Sequence, residues 1–194
     1  MAHDARPKFD PQKHHRQSIR IKDYDYTQAG AYFVTMVTDH RNGLFGSIQN
    51  GAVMLSDFGQ IADDCWRAIP EHFPAVELGA YVIMPNHVHG VIVIRDDESA
   101  TVRAVRRGSI YRAPTDNIEQ FGKPTKGSLS TIIRTYKAAV TRRIGREHNP
   151  TGIWQRNYYE HIIRDDKDLQ RITDYIHANP LRWNEDDDNP RNNA

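Results

Sequence analysis

The order of elements in this 194-residue chain predicts an α+β fold: a ferredoxin-like antiparallel sheet with helices packed mainly on one face. Three observations carry that expectation. Segments rich in β-branched and aromatic residues alternate with amphipathic helical stripes, in the order strands, helix, two strands, helix, strand, helix. No internal repeat is present. The length suits one domain, able to bury an ordinary core without a disulfide framework or a structural metal. The chain divides into a polar basic arm over 1–29, a single domain over 30–182 with a mobile loop near 95–126, and an acidic tail over 183–194.

Ala31 to Thr38 is β-branched and aromatic, and reads as the first strand. Asn42-Gly43 supplies a turn, and Leu44 to Ile48 and Ala52 to Leu55 are short extended pieces. Ser56 can cap a helix running to about Ile69, in which Phe58, Ile61, Ala62, Cys65, Trp66 and Ile69 recur at helical spacing. Pro70 stands just past its end. Val76 to Met84 and His87 to Ile94 read as two strands separated by Pro85-Asn86. Few large apolar residues occur between Arg95 and Lys126, so this stretch is expected to be a loop. Leu129, Ile132, Ile133, Tyr136, Val140 and Ile144 form the clearest helical stripe, with Gly145 at the expected stop. Tyr159 to Arg164 is a last strand. Asp165 or Asp166 then caps a helix carrying Leu169, Ile172 and Ile176, and Pro180 ends it.

Hydrophobic residues make up 38% of the chain and charged residues 26%. The lone cysteine, Cys65, excludes a disulfide scaffold and a Cys-rich zinc module, and fits a reducing compartment. No apolar run approaches the roughly 20 residues of a membrane-spanning helix. The polar N-terminus lacks the apolar core of a signal peptide, so a cytoplasmic location is expected and no membrane partner. The net charge of +1 hides an asymmetry. Between Thr101 and Arg146 there are 11 Lys/Arg against Asp116 and Glu119, whereas Glu185, Asp186, Asp187 and Asp188 crowd the C-terminus. A basic block of that density favours polyanions, nucleic acid first, although charge alone fits a solubilising surface equally well.

Two constellations carry chemistry. His87-Val88-His89 lies within an apolar strand, where alternate residues face one side, so both imidazoles project together and can ligate a metal. In isolation the same pattern describes two histidines satisfied by local hydrogen bonds. In Asp174-Tyr175-Ile176-His177-Ala178-Asn179-Pro180, Tyr175 and Asn179 are four apart and share a helix face. A tyrosine hydroxyl can act as a nucleophile and an amide oxygen is a hard ligand. A core-edge Tyr and a C-capping Asn explain them as well. Pro180 disfavours the α conformation at Asn179, which is expected at the helix end with its amide turned outward. Glu160 and His161 alternate to opposite faces, His14 and His15 lie in the polar arm, and Tyr136, Tyr158 and Tyr159 have structural explanations. No Walker, GxSxG, GxGxxG or HExxH motif is present.

Pro85-Asn86-His87-Val88-His89-Gly90, Ile153-Trp154-Gln155-Arg156 leading into Tyr159-Glu160-His161-Ile162-Ile163-Arg164, and the Tyr175 segment occur in an order that resembles the single-tyrosine HUH transposases. More narrowly, the chain from about Gly30 to Arg182 resembles the REP-associated tyrosine transposases, bacterial relatives of the IS200/IS605-like transposases. The resemblance implies an HUH nuclease fold, metal ligation by His87, His89 and Asn179 (often Gln in relatives), and Tyr175 as nucleophile. It further implies a divalent cofactor, Mg²⁺ or Mn²⁺, and a substrate of single-stranded or hairpin DNA such as a REP-like palindrome, cut through a 5′-phosphotyrosine. Arg134, Lys137, Arg142 and Arg143 are candidate phosphate contacts, with Arg16, Arg20 and Lys22 on the arm as weaker ones. A homodimer is an open alternative to a monomer. Two rival functions are a DNA-binding protein of the same fold without cleavage, and a metal-dependent hydrolase of a small phosphate ester.

Overall fold

The computed structural model describes residues 28–95, 125, 127–148, 152–186, 189 and 192. A four-stranded sheet in the order β4-β5-β1-β6 is built from β1 (Gly30–Val37), β4 (Val76–Ile83), β5 (His87–Ile94) and β6 (Tyr159–Ile163), every neighbouring pair antiparallel. A separate hairpin joins β2 (Gly46–Gln49) to β3 (Ala52–Leu55). Its turn residues Asn50 and Gly51 have φ of 51° and 75°, the pair of left-handed conformations a two-residue type I′ loop requires. The helices are α1 (Asp57–Arg67), the single turn α2 (Ile69–His72), α3 (Leu129–His148) and α4 (Asp166–Ala178).

β1 and β5 are buried along nearly their whole length because both faces of the sheet are covered. On one face Tyr32, Val34, Met36, Val88 and Ile92 pack with Trp66 of α1 and with Ile132, Ile133, Tyr136 and Val140 of α3. On the other face Phe33, Val91 and Ile163 pack with Ile172 and Ile176 of α4. The α+β class and the antiparallel sheet are as the sequence predicts. Most of the helical mass lies on one face, and α4 is the exception that builds the site. Gly90 is where α1 meets the sheet: a Cβ there would stand 2.2 Å from Cζ2 of Trp66.

Three element ends differ from expectation. α1 stops at Arg67, and Ile69–His72 forms its own turn with Pro70 in its first positions, where a missing N–H costs nothing. α3 runs through Gly145 to His148, since an interior glycine weakens a helix by about 1 kcal/mol without breaking its ladder. Asn179, just before Pro180, adopts φ −58° and ψ −43°, helical values, and its side chain is buried. Proline's steric preference is overridden there because the chain winds on: Arg182 N–H donates to the carbonyls of Ala178 and Asn179 at 3.2 and 3.1 Å.

Candidate active site: two imidazoles, a tyrosine and a carboxylate on one cleft

Antiparallel register places side chains in rows. Thr35 of β1 lies between His89 of β5 and Tyr159 of β6, Val37 lies opposite His87, and Phe33 lies between Val91 and His161. His87 and His89 therefore share one face, their rings 4.4 Å apart, with 0% and 3% of their surfaces exposed. This is the face that α4 covers.

The neighbours set the protonation of both rings. Asn86 Nδ2 donates to the carbonyl of Arg41 at 3.0 Å, which turns its Oδ1 to His87 Nδ1 at 2.9 Å. An amide oxygen only accepts, so the His87 proton sits on Nδ1 and Nε2 keeps its lone pair. His89 Nδ1 lies 2.8 Å from Thr35 Oγ1, and its Nε2 lies 3.2 Å from the Tyr175 hydroxyl. With Tyr175 as the donor to Nε2, the His89 proton sits on Nδ1 and faces Thr35 Oγ1. Burial, and then the neighbouring His87, hold the His89 imidazolium well below its ordinary range, so the ring is neutral. Neutral imidazoles with Nδ1 held by a second partner are the form in which histidine ligates a metal through Nε2. His87 Nε2 accepts no hydrogen bond among the described residues, and His89 Nε2 is available once the Tyr175 hydroxyl turns away.

Tyr175 rises from α4 with its ring edge against Phe33 and His89, at centroid distances of 6.1 and 5.2 Å, and 42% of its surface exposed. One turn on, Asn179 donates through Nδ2 to Asp186 Oδ2 at 2.9 Å, while its buried Oδ1 meets no hydrogen-bond donor among the described residues. Asp186 follows the 3₁₀ turn Trp183–Glu185, which packs its indole 6.0 Å from the His87 ring. One ligand atom from each of His87, His89 and Asp186 lies within 4.8 Å of the others. Asn189 N–H donates to the Asp186 carbonyl at 3.0 Å and its amide to the Trp183 carbonyl at 2.9 Å, fastening this turn over the site. Two imidazole nitrogens, a carboxylate and an unsatisfied amide oxygen fit a divalent cation.

Tyr175, His89, Asn179 and Asp186 line one end of a cleft of about 890 Å³, open to solvent. Arg156, Tyr159, His161 and Arg171 line it as well. His161 Nε2 lies 2.7 Å from Asp168, whose other oxygen accepts from Arg171 at 2.5 Å; these two partners hold the Asp168 carboxyl below its usual range.

The expected site residues His87, His89, Tyr175 and Asn179 thus converge. Asn179 faces inward, not outward as expected, because its amide is held by Asp186. The basic residues of α3 do not form one phosphate-facing row. Arg134 and Arg142 are exposed and meet no partner among the described residues. Lys137 is engaged within the chain: Nζ donates to the carbonyls of Gln155 and Asn157 at 2.7 and 2.9 Å, over the Trp154 ring, and burial pushes it down to about 8. Arg143 is engaged by Asp64 at 3.2 Å. Arg16, Arg20 and Lys22, like nearly all of the 95–126 loop, lie outside the described residues. Reading by sequence missed Asp186, Asn86 and Thr35. Asp186 was hidden in a charge run, Asn86 stood beside the histidines as a turn residue, and Thr35 carried no signal beyond its strand.

No family model matches the chain. An uncharacterized protein of Haemophilus influenzae is 38% identical over 179 residues, covering 92% of this chain and 96% of that protein. A second protein of that organism, named for a REP-associated tyrosine transposase, is 29% identical over 160 residues, covering 81% and 74%. Among solved structures, a REP-associated tyrosine transposase bound to a REP hairpin shares the fold, with a TM-score of 0.56 at 20% identity over 84% of this chain and 74% of that one. The fold is the one seen in that REP-associated tyrosine transposase. The chain belongs to one family with its 38%-identical relative, and it is similar in sequence to the REP-associated tyrosine transposase of the same organism.

Proposed function

We propose that the chain is a single-strand DNA endonuclease and strand transferase acting on hairpin-bearing DNA through a 5′-phosphotyrosine on Tyr175. The observation that carries this reading is the Tyr175 hydroxyl, 3.2 Å from Nε2 of a buried, neutral His89 at the mouth of an open cleft. His87, His89, Asp186 and Asn179 Oδ1 would hold a divalent ion, Mg²⁺ or Mn²⁺, which when bound supplies charge neutralisation at the scissile phosphate. Asn86 and Thr35 orient the two imidazoles, and Phe33 with His89 restricts the Tyr175 ring to one side of the cleft. Tyr175 Oη attacks phosphorus as its proton passes to solvent, the P–O3′ bond breaks, and the departing 3′ oxygen takes a proton from solvent to leave as a hydroxyl. The phosphodiester energy is kept in the tyrosyl ester, so a second 3′-OH reverses the step and joins a strand without ATP.

The structural relative that shares this fold holds a REP hairpin, and hairpin DNA is the substrate proposed here. Arg134 and Arg142 offer further phosphate contacts away from the cleft. A hairpin oligonucleotide incubated with protein and Mg²⁺ or Mn²⁺ and run on a denaturing gel tests the reading. A covalent adduct is expected. DNA that shifts on a native gel yet is never cut identifies a non-cleaving binder, and neither result points to a small-ester hydrolase.

A further inference from the structure

Beyond the reacting atoms, the cleft has walls that the tyrosine and the metal ligands do not use. Arg171, Tyr175 and Asn179 recur at helical spacing along one face of α4, Arg182 follows on the turn after it, and all four line the cleft. Across from them stands the edge strand β6. Tyr159 lies there 49% exposed, two strands from His89 on the same row, and its ring edge meets Phe33 at 6.4 Å. At a strand spacing of about 4.8 Å this sets Tyr159 roughly 10 Å from the histidine that Tyr175 touches. Arg156 lines the same cleft. Arg156 and Arg182 are exposed and meet no side-chain partner among the described residues, whereas Arg171 shares Asp168 with His161. Exposed guanidinium groups and an exposed aromatic ring lining one cleft match what an unpaired strand requires: charges that follow the backbone and a flat face for a base. A duplex, with its bases already stacked, offers nothing to Tyr159.

We propose that single-stranded DNA lies in the groove between α4 and β6, one base stacked on Tyr159 and its backbone held by Arg156 and Arg182. The proposal rests on Tyr175 being the nucleophile, since it describes the strand flanking the phosphate that Tyr175 attacks. Its test is chosen to be independent of cleavage. Binding of a fluorescent single-stranded oligonucleotide is measured by anisotropy in the Tyr175→Phe background with EDTA present, so that neither covalent chemistry nor a metal contributes. Tyr159→Ala weakens binding roughly five- to 150-fold, the usual worth of one stacked base, and Tyr159→Phe restores it to within about twofold. Arg156→Ala and Arg182→Ala each flatten the dependence of log affinity on log salt by about 0.7. A scan with single abasic positions finds one position that reproduces the Tyr159→Ala loss, and the two losses do not add.

Unchanged affinity in Tyr159→Ala together with unchanged salt slopes in both arginine variants, with folding verified by circular dichroism, overturns the groove. Equal loss of duplex and single-strand binding in Tyr159→Ala also overturns it. An adduct assay on unsubstituted protein separates the two readings: no adduct with intact groove effects removes the nucleophile alone, and normal adduct with no groove effects removes the groove alone.

Discussion

Tyr175 and His89 share one hydrogen bond, and each has a separate experimental signature. Tyr175→Phe removes one oxygen and keeps the ring packed on Phe33; covalent attachment stops while folding and DNA binding persist. Mass spectrometry of a trapped adduct locating the linkage on Tyr158 or Tyr159 would defeat this assignment. For the metal, His87→Ala and His89→Ala are expected to abolish both cleavage and Mn²⁺ binding. Asp186→Asn should weaken Mn²⁺ more than Asn179→Ala does, because it removes the one formal negative charge of the cluster. Asn86→Ala leaves every proposed ligand in place and frees the His87 ring, so a loss of roughly 10–100-fold in Mn²⁺ affinity is expected by calorimetry. Full activity in excess EDTA would remove the metal from the scheme. At this scale, local sequence shows what strand alternation and helical spacing bring together: the His87/His89 pair and Tyr175 with Asn179. It does not show Asp186, which reaches the histidines only because Asn179 and Asn189 fold a charged turn back onto the sheet. A run of acids advertises solvation, and tertiary contacts alone single out one member.

Between elements, two contacts are open to direct measurement. Gly90→Ala drives a Cβ into the Trp66 indole, and overpacking of this kind costs about 1–3 kcal/mol. Lys137 ties α3 to the 155–157 segment that leads into β6. Lys137→Ala leaves two carbonyls without their donor, a loss of about 1–3 kcal/mol, which a calorimetric scan should read as a fall in Tm of roughly 2–10 °C. A Tm within a degree of the unsubstituted protein would show that water replaces the ammonium freely. The elements themselves were legible, β1, β5 and β6 as short runs rich in β-branched and aromatic residues, and α1, α3 and α4 from an apolar period near 3.6. Their ends were less so. Pro70, Gly145 and Pro180 are local signals, and at each the chain follows its packing instead: a new turn at Ile69, a helix carried to His148, and a helical Asn179. The same limit explains Lys137, since a helical wheel separates it from the apolar stripe but cannot reveal the two carbonyls that the 155–157 segment brings to it.

Over the whole molecule, the sheet separates two charged surfaces. The cleft with Arg156, Arg171 and Arg182 lies on the α4 face, and Arg134 and Arg142 lie on α3, on the opposite face. If DNA extends to the α3 face, Arg134→Ala/Arg142→Ala flattens the salt dependence of binding by about 1.4, two contacts at about 0.7 each, without altering sequence preference. An unchanged slope would confine binding to the cleft side. The proximity of Tyr175 to His89 within a single polypeptide has a genetic consequence. A chain disabled at the tyrosine and a chain disabled at a histidine each lack half of the same pocket, and neither can lend the missing half across a subunit boundary. Mixing Tyr175→Phe protein with His87→Ala protein should therefore yield no cleavage, so that the two lesions fail to complement at any ratio.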